Sequence, residues 1–234
     1  MKKKLIGLIG SLASIVIVIS IPLLIMSTTV TAYVGNEELY KNCFNKYQIS
    51  KTTGISNIQL EEVARKMVDY LVGSSQSPQV TVTRNGGQFQ LYNEKELLHL
   101  EDVRDIIQLF KVAQVVSIIL FVILAVFIYL NAGVKHLLRL IKIGSIVTAT
   151  FTVLIVAWAL IDFNSLFLIF HFISFSNDLW ILDPTRDYLI MIFPEGFFND
   201  AALMIILTIL LCAGIIWLAA YLTRKGLPGK ANAD

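Results

Sequence analysis

Four stretches of this chain lack the periodic alternation of apolar and polar residues that gives a helix one wet face. Leu5–Met26, Val112–Leu130, Ile143–Ile161 and Ala201–Leu222 are apolar all round and almost free of ionisable side chains. Each is close to the ~20 residues a helix needs to cross a bilayer, so each predicts a transmembrane helix. Between the first two, the pattern becomes amphipathic. Leu60, Val63, Ala64, Met67, Val68 and Leu71 recur at helical spacing in a helix opened by Asn57 and stopped at Gly73. A shorter helix is predicted from Gly35-Asn36 through Cys43. Val80 and Val82 then alternate with threonines, Asn85-Gly86 supplies a tight turn, and Phe89 and Leu91 continue the apolar face, which reads as a β-hairpin. Asn93 with Glu96 three residues on has the form of a capping box, opening a helix that can run without interruption into the second span.

Composition agrees with a membrane class: 56% of residues are hydrophobic, 15% are charged, and the mean hydropathy is +0.71. The charges then orient the spans. Lys2, Lys3 and Lys4 precede the first, Lys135, Arg139 and Lys142 fill the loop between the second and third, and Arg224, Lys225 and Lys230 follow the fourth. The positive-inside rule sets all three groups in the cytoplasm. The expected organisation is a first span over 1–26 with a cytoplasmic N-terminus, an extracellular cap over 27–111, and a second span over 112–130. A cytoplasmic loop over 131–142, a third span over 143–161, an extracellular segment over 162–200, a fourth span over 201–222 and a cytoplasmic tail over 223–234 complete it. Sixteen of the seventeen carboxylates then fall outside. Tyr129, Trp217 and Tyr221 mark the inner interface and Trp158 the outer one. The expected fold class is an α-helical polytopic membrane protein, with four transmembrane helices and a small extracellular α+β cap.

The N-terminus also imitates a cleavable secretory signal, with Val30-Thr31-Ala32 as the small-residue site. Its apolar run exceeds a typical signal core, and cleavage would strand one terminus outside, so an uncleaved first span is expected. Cys43 and Cys212 fall in the cap and the fourth span, which argues against a disulfide between them. No cysteine–histidine cluster suggests a metal, no motif suggests a cofactor, and the nearly cancelling charges of the cap argue against nucleic acid.

Residues 162–200 are unlike an ordinary loop. They hold ten aromatic residues, six carboxylates and His171, with no lysine. Such a segment can wall off a dry pocket around a titratable group. His99 stands roughly 20 Å above the second span at ~1.5 Å per residue, and His171 roughly 15 Å above the third if that helix continues past Asp162. The two would then share a height and form an acid–base pair, since imidazole titrates near neutral pH; interfacial or capping histidines are the plainer alternative. Asp102 follows His99 on the same helical face and is a candidate to fix its tautomer; Arg104 is beside it. Ser174 and Ser176 raise a serine nucleophile but sit in no GxSxG. Asn177 and Asp178 are candidates to orient a histidine or donate to an oxyanion, or else cap the turn before Trp180. Asp183-Pro184 reads as a turn. Phe170, Phe172, Phe175, Trp180, Phe193, Phe197 and Phe198 would exclude water.

HLEDVR at 99–104, HFISFSNDLWILDP at 171–184 and MIFPEGFF at 191–198 resemble the motifs of the bacterial lipoprotein intramolecular transacylase family, and the resemblance covers nearly the whole chain. It implies four membrane helices under an extracellular cap in the bacterial plasma membrane, with catalytic histidines at His99 and His171. It further implies movement of the sn-2 acyl chain of a diacylglyceryl-modified lipoprotein to the α-amino group of its N-terminal cysteine, giving the lyso form, with no cofactor or metal. The implied partners are that lipoprotein and membrane lipid. Two other classes fit parts of the pattern: a non-enzymatic membrane assembly or sensor protein, indifferent to both histidines, and a membrane esterase or phospholipase, which would release free fatty acid.

Overall fold

The computed structural model describes residues 2–227, with side chains from Gly7 onward. The elements in order are α1 (Lys2–Val34), α2 (Glu37–Lys46), α3 (Ile49–Thr53), α4 (Asn57–Leu71), β1 (Thr81–Arg84), β2 (Gly87–Gln90), α5 (Glu94–Ala132), α6 (Val134–Ile161), α7 (Phe163–Ser174), α8 (Tyr188–Ile192) and α9 (Glu195–Gly226). The chain is a polytopic helical membrane protein: α1, α5, α6 and α9 are long and apolar enough to cross a bilayer. It divides into a membrane unit, formed by residues up to Thr29, Val112–Ala157 and the chain from Ile206 on, and an α+β unit formed by Val30–Lys111 and Trp158–Ile205.

In the membrane unit, between 11% and 28% of each helix's most apolar stretch is buried, so most of it faces outward, as lipid-facing helices require. Where the helices do meet, small residues let them approach. A Cβ on Gly144 of α6 would lie 2.5 Å from Cδ1 of Ile21 and 3.1 Å from the Val18 carbonyl of α1. Ser145, Thr148 and Thr152 continue that face of α6 and return their hydroxyls to carbonyls four residues earlier. Trp217 and Tyr221 of α9 stack at 5.4 Å, and the Lys142 ammonium lies 5.5 Å and 5.0 Å from their rings.

The α+β unit has its own core, in which α2 and α4 bring Tyr40, Phe44, Leu60, Val63 and Met67 together with Val82, Leu91, Ile192, Phe193 and Phe197. Local signals explain its elements. The Asn36 side chain accepts from the Glu38 N–H at 3.1 Å and caps α2, which runs to Lys46 rather than ending at Cys43. Ser56, one residue ahead of the expected start, caps α4, and Gly73 leaves it in the left-handed region at φ +85°. The hairpin pairs Val82 with Phe89 and Arg84 with Gly87 around Asn85 and Gly86, both at positive φ. The thiol of Cys43 packs inside, where burial, and then Asp200, push it up to about 12; Cys43 is a core residue, not a nucleophile.

Two features position the aromatic segment. The first is the end of α6. The third long helix does not continue past Asp162, contrary to the condition under which the histidines would share a height. Asp162 leaves helical geometry at φ −156°, and its carboxylate accepts from the Ser165 N–H at 3.0 Å, so it starts the separate helix α7. The second is Glu96, 1% exposed. The capping box forms: the Asn93 N–H donates to Glu96 Oε2 at 2.7 Å and the Glu96 N–H to Asn93 Oδ1 at 3.0 Å. Glu96 Oε1 also accepts from the Leu189 N–H at 2.6 Å, and Asn93 Nδ2 donates to Asp187 Oδ1 at 2.9 Å. One carboxylate thereby serves the starts of both α5 and α8. Asp183 is architectural, as its turn signal indicates: its side chain accepts from the Thr185 N–H at 2.8 Å, and its carbonyl from Asp187.

Candidate active site

His99 lies in the second turn of α5, ahead of the apolar run Val112–Leu130, and His171 lies in the last turn of α7. Their rings stack with centroids 6.3 Å apart and planes inclined by 30°. They are 7% and 8% exposed, a buried pair. Rings enclose them. Phe175 lies 5.1 Å from His99 and 5.5 Å from His171, while Phe167, Trp180 and Phe170 stand 4.2, 4.9 and 5.4 Å from His171.

The hydrogen bonds assign different states to the two imidazoles. His171 Nδ1 lies 2.7 Å from the Phe167 carbonyl, one helical turn back. A carbonyl only accepts, so Nδ1 carries the proton and Nε2 keeps its lone pair. His99 Nδ1 is buried with no hydrogen-bond partner. Burial, and then the neighbouring His171, push His99 down to about 4, against the opposing pull of Asp102. Burial also lowers His171, offset by the Phe167 carbonyl. Both rings are therefore neutral at pH 7, the state in which an imidazole can take a proton.

The same shifts predict acid sensitivity. A histidine whose pKa is lower in the fold than in the unfolded chain binds its proton more readily when unfolded. Stability is complete above pH 6.5 and falls as pH drops towards about 4, by on the order of 3 kcal/mol for His99. Thermal unfolding of the detergent-solubilised protein should therefore shift to lower temperature across that window, and His99→Phe should flatten the shift. A profile identical in the variant would refute the assignment.

Beside the pair, a cavity of about 290 Å³ is lined by Asp102, Asp105, Ile106 and Leu109 of α5 and by Ser174, Phe175, Ser176 and Asn177 at the end of α7. Phe175 is common to this cavity and to both histidines. Asp102 accepts from Asn177 Nδ2 at 2.9 Å and thus ties α5 to the turn after α7, rather than bonding His99 Nδ1. Asn177 Oδ1 accepts from the Leu179 N–H at 3.1 Å, capping the turn before Trp180. Of the other candidates, Ser174 lines the cavity, Trp180 covers His171, and Asp178 is exposed with its carbonyl accepting from Ile181. Arg104 is elsewhere: its guanidinium lies 4.8 Å from the ring of the core residue Tyr70. Phe193 and Phe197 belong to the core, against Tyr40. Phe167 is the participant that sequence reading missed. Its position four residues before His171 is the one signal for its carbonyl, because a helical side chain leans back over the preceding turn.

Four bilayer-length helices, a small α+β unit and a buried, aromatic-walled histidine pair define a polytopic membrane protein. The model of a family described as lipoprotein intramolecular transacylase Lit matches residues 15–198. The chain belongs to that family, and so to a class of membrane acyltransferases. Solved structures give the same fold. The lipoprotein intramolecular transacylase Lit from Bacillus cereus is 24% identical, with 94% of this chain and 98% of that one covered at a TM-score of 0.78. A histidine-to-alanine form of it is 23% identical over 96% and 98% at 0.76, and a histidine-to-arginine form 24% identical over 94% of each chain at 0.75. No curated protein sequence matches the chain.

Proposed function

We propose that this chain moves the sn-2 acyl group of an S-diacylglyceryl lipoprotein onto the α-amino nitrogen of its own N-terminal cysteine, leaving the lyso form, by histidine general acid–base catalysis. The observation that carries this reading is the buried pair itself: two neutral imidazoles 6.3 Å apart, one with its Nε2 lone pair free. The bonds balance without a cofactor. The carbon–nitrogen amide bond forms, the glycerol ester bond breaks, and the ammonium loses two protons, one to the departing glycerol oxygen and one to solvent.

His171 takes the ammonium and tetrahedral-nitrogen protons in turn, releasing one to solvent; the other passes to the neighbouring neutral His99, which hands it on to the departing glycerol oxygen. An α-amino group has a pKa near 8, so most of it is protonated at neutral pH and needs such a base. Nucleophile and ester share one molecule, so holding them together supplies much of the acceleration. The rings around the pair exclude the water that would hydrolyse the ester. Asp102 and Asn177 hold α5 and the turn after α7 in register. By the positive-inside rule, both termini are cytoplasmic and the site is on the outer side of the plasma membrane.

Tandem mass spectrometry of the N-terminal lipopeptide of a reporter lipoprotein tests this, in a bacterium lacking the protein and supplied with the intact gene. An N-acyl, S-monoacylglyceryl peptide is the expected product. Unchanged diacylglyceryl peptide with good expression would favour a binding role, and free fatty acid without N-acylation a hydrolase.

A further inference from the structure

We propose that the outer face of α7 lies among the acyl chains of the membrane, and that the lipid end of the substrate reaches His171 from that side; the second step rests on the acyl transfer proposed above. Phe163–Ser174 contains no Asp, Glu, Lys or Arg. One side of the helix is spent inside: Phe163, Phe167 and His171 follow at four-residue intervals, with successive rings 6.2 and 4.2 Å apart. The other side carries Leu168, Ile169, Phe172 and Ile173, which are 44%, 38%, 67% and 82% exposed. A helix facing water sets polar and charged residues on its outer face, so this face is solvated by something apolar.

Chain continuity names the occupant. The helix α6 is long and apolar enough to cross a bilayer, and its last residues, Leu160 and Ile161, are 82% and 85% exposed. Asp162 alone separates them from α7, so the apolar surface of a membrane span runs on into the outer face of α7. The break between the helices suits a setting where lipid cannot satisfy backbone groups. The Asp162 N–H donates to the Trp158 carbonyl at 2.9 Å, and the Asp162 carbonyl accepts from the Leu166 N–H at 3.3 Å. At the far end, the Phe175 N–H donates to the His171 carbonyl at 2.9 Å. Exposed polar residues bracket the helix, Asp162 and Asn164 at its start and Ser176 and Asp178 beyond its end. That is the pattern of a helix lying along the headgroup boundary, with its apolar face about 5–10 Å into the acyl layer.

The route follows from the rings. Phe172, on the outer face, lies 5.2 Å from Trp180, whose ring lies 4.9 Å from His171. An acyl chain resting on Phe172 is therefore one ring away from the base. The cavity beside the pair is the poorer entrance for an alkyl chain. Asp102, Asp105, Ser174, Ser176 and Asn177 line it, and the chain would strip them of water without offering a hydrogen bond.

Photolabelling of the full-length protein in liposomes tests both steps. Phosphatidylcholine carrying a mid-chain diazirine should label residues 168–173 as strongly as the spans, and about tenfold above the α4 segment around Ile58, an apolar residue that is 82% exposed. Labelled spans with an unlabelled α7 would overturn the placement and show that water or another protein covers that face. The second probe is a synthetic S-diacylglyceryl peptide with its diazirine beside the sn-2 ester carbonyl. It is used on the His171→Phe variant, so that it is held and not turned over. Adducts on Phe172 or Trp180 are expected; adducts confined to Ile106 and Leu109, or none on α7 and Trp180, would overturn the route. Neither readout needs turnover. Lyso product from the intact protein without those adducts sinks the route alone, whereas a labelled α7 with no lyso product sinks the acyl transfer alone.

Discussion

His171→Phe is expected to lower formation of the lyso product by on the order of 10²–10⁴-fold, the contribution typical of a positioned acid–base group. Phenylalanine is the informative replacement. His171 is packed by Phe167, Phe170, Phe175 and Trp180, so an aromatic ring keeps the wall while removing both nitrogens. The lost Nδ1 bond to the Phe167 carbonyl costs about 1 kcal/mol, partly recovered because no polar ring remains to be buried. The variant should therefore fold and fail chemically. His99→Phe should fail to a similar degree. The double variant should lose little more than either single one, because two groups serving one proton circuit are not additive. Quantitative mass spectrometry of the reporter lipopeptide at matched expression gives all three rates. Activity within about tenfold of the intact protein in either single variant would remove the histidines from the reaction, and full additivity would separate their roles.

Much of this arrangement was legible in the chain, and the rest was hidden for definite reasons. The four spans, the hairpin and the capping box are local: each depends on residues within a turn or two, and Asn93 and Glu96 bond each other as their spacing indicates. The meeting of the histidines was reached through a condition that does not hold. The third long helix ends at Ile161, because the Asp162 carboxylate caps a new helix there. Aspartate at a helix start is a common signal, but inside a long apolar run it is outweighed by hydrophobicity. The rings still meet, with His171 carried on the separate helix α7. Partner choice was the least legible property. Asp102 lies one turn from His99, but its hydrogen bond goes to Asn177, and Arg104 turns to Tyr70. Sequence spacing gives the face a side chain occupies, while the neighbour it finds there depends on an element 75 residues away.

Glu96 supplies the largest expected effect on stability, and it separates holding the site from doing its chemistry. Its two oxygens accept the Asn93 and Leu189 N–H groups inside the core. Burial pushes the carboxyl up from its usual range, held back by those two donors. Glu96→Ala would strand both N–H groups, at about 1–3 kcal/mol each, while the Asn93 Oδ1 cap on the backbone N–H of residue 96 survives. A loss of about 3–5 kcal/mol is expected from thermal or denaturant unfolding. Glu96→Gln should lose roughly half of that, since an amide has one accepting oxygen and turns its NH₂ on the second N–H. A loss below about 1 kcal/mol for Glu96→Ala would mean that water replaces the carboxylate and that the network is not structural. The activity pattern follows from position. Glu96 touches neither imidazole, but it joins the start of α5, which carries His99, to α8 in the segment that carries His171. Weakening that joint lowers the fraction of molecules with an assembled pair and leaves the chemistry of assembled ones intact. Cooling Glu96→Gln below its unfolding transition should therefore restore product formation, whereas His171→Phe should stay inactive at every temperature.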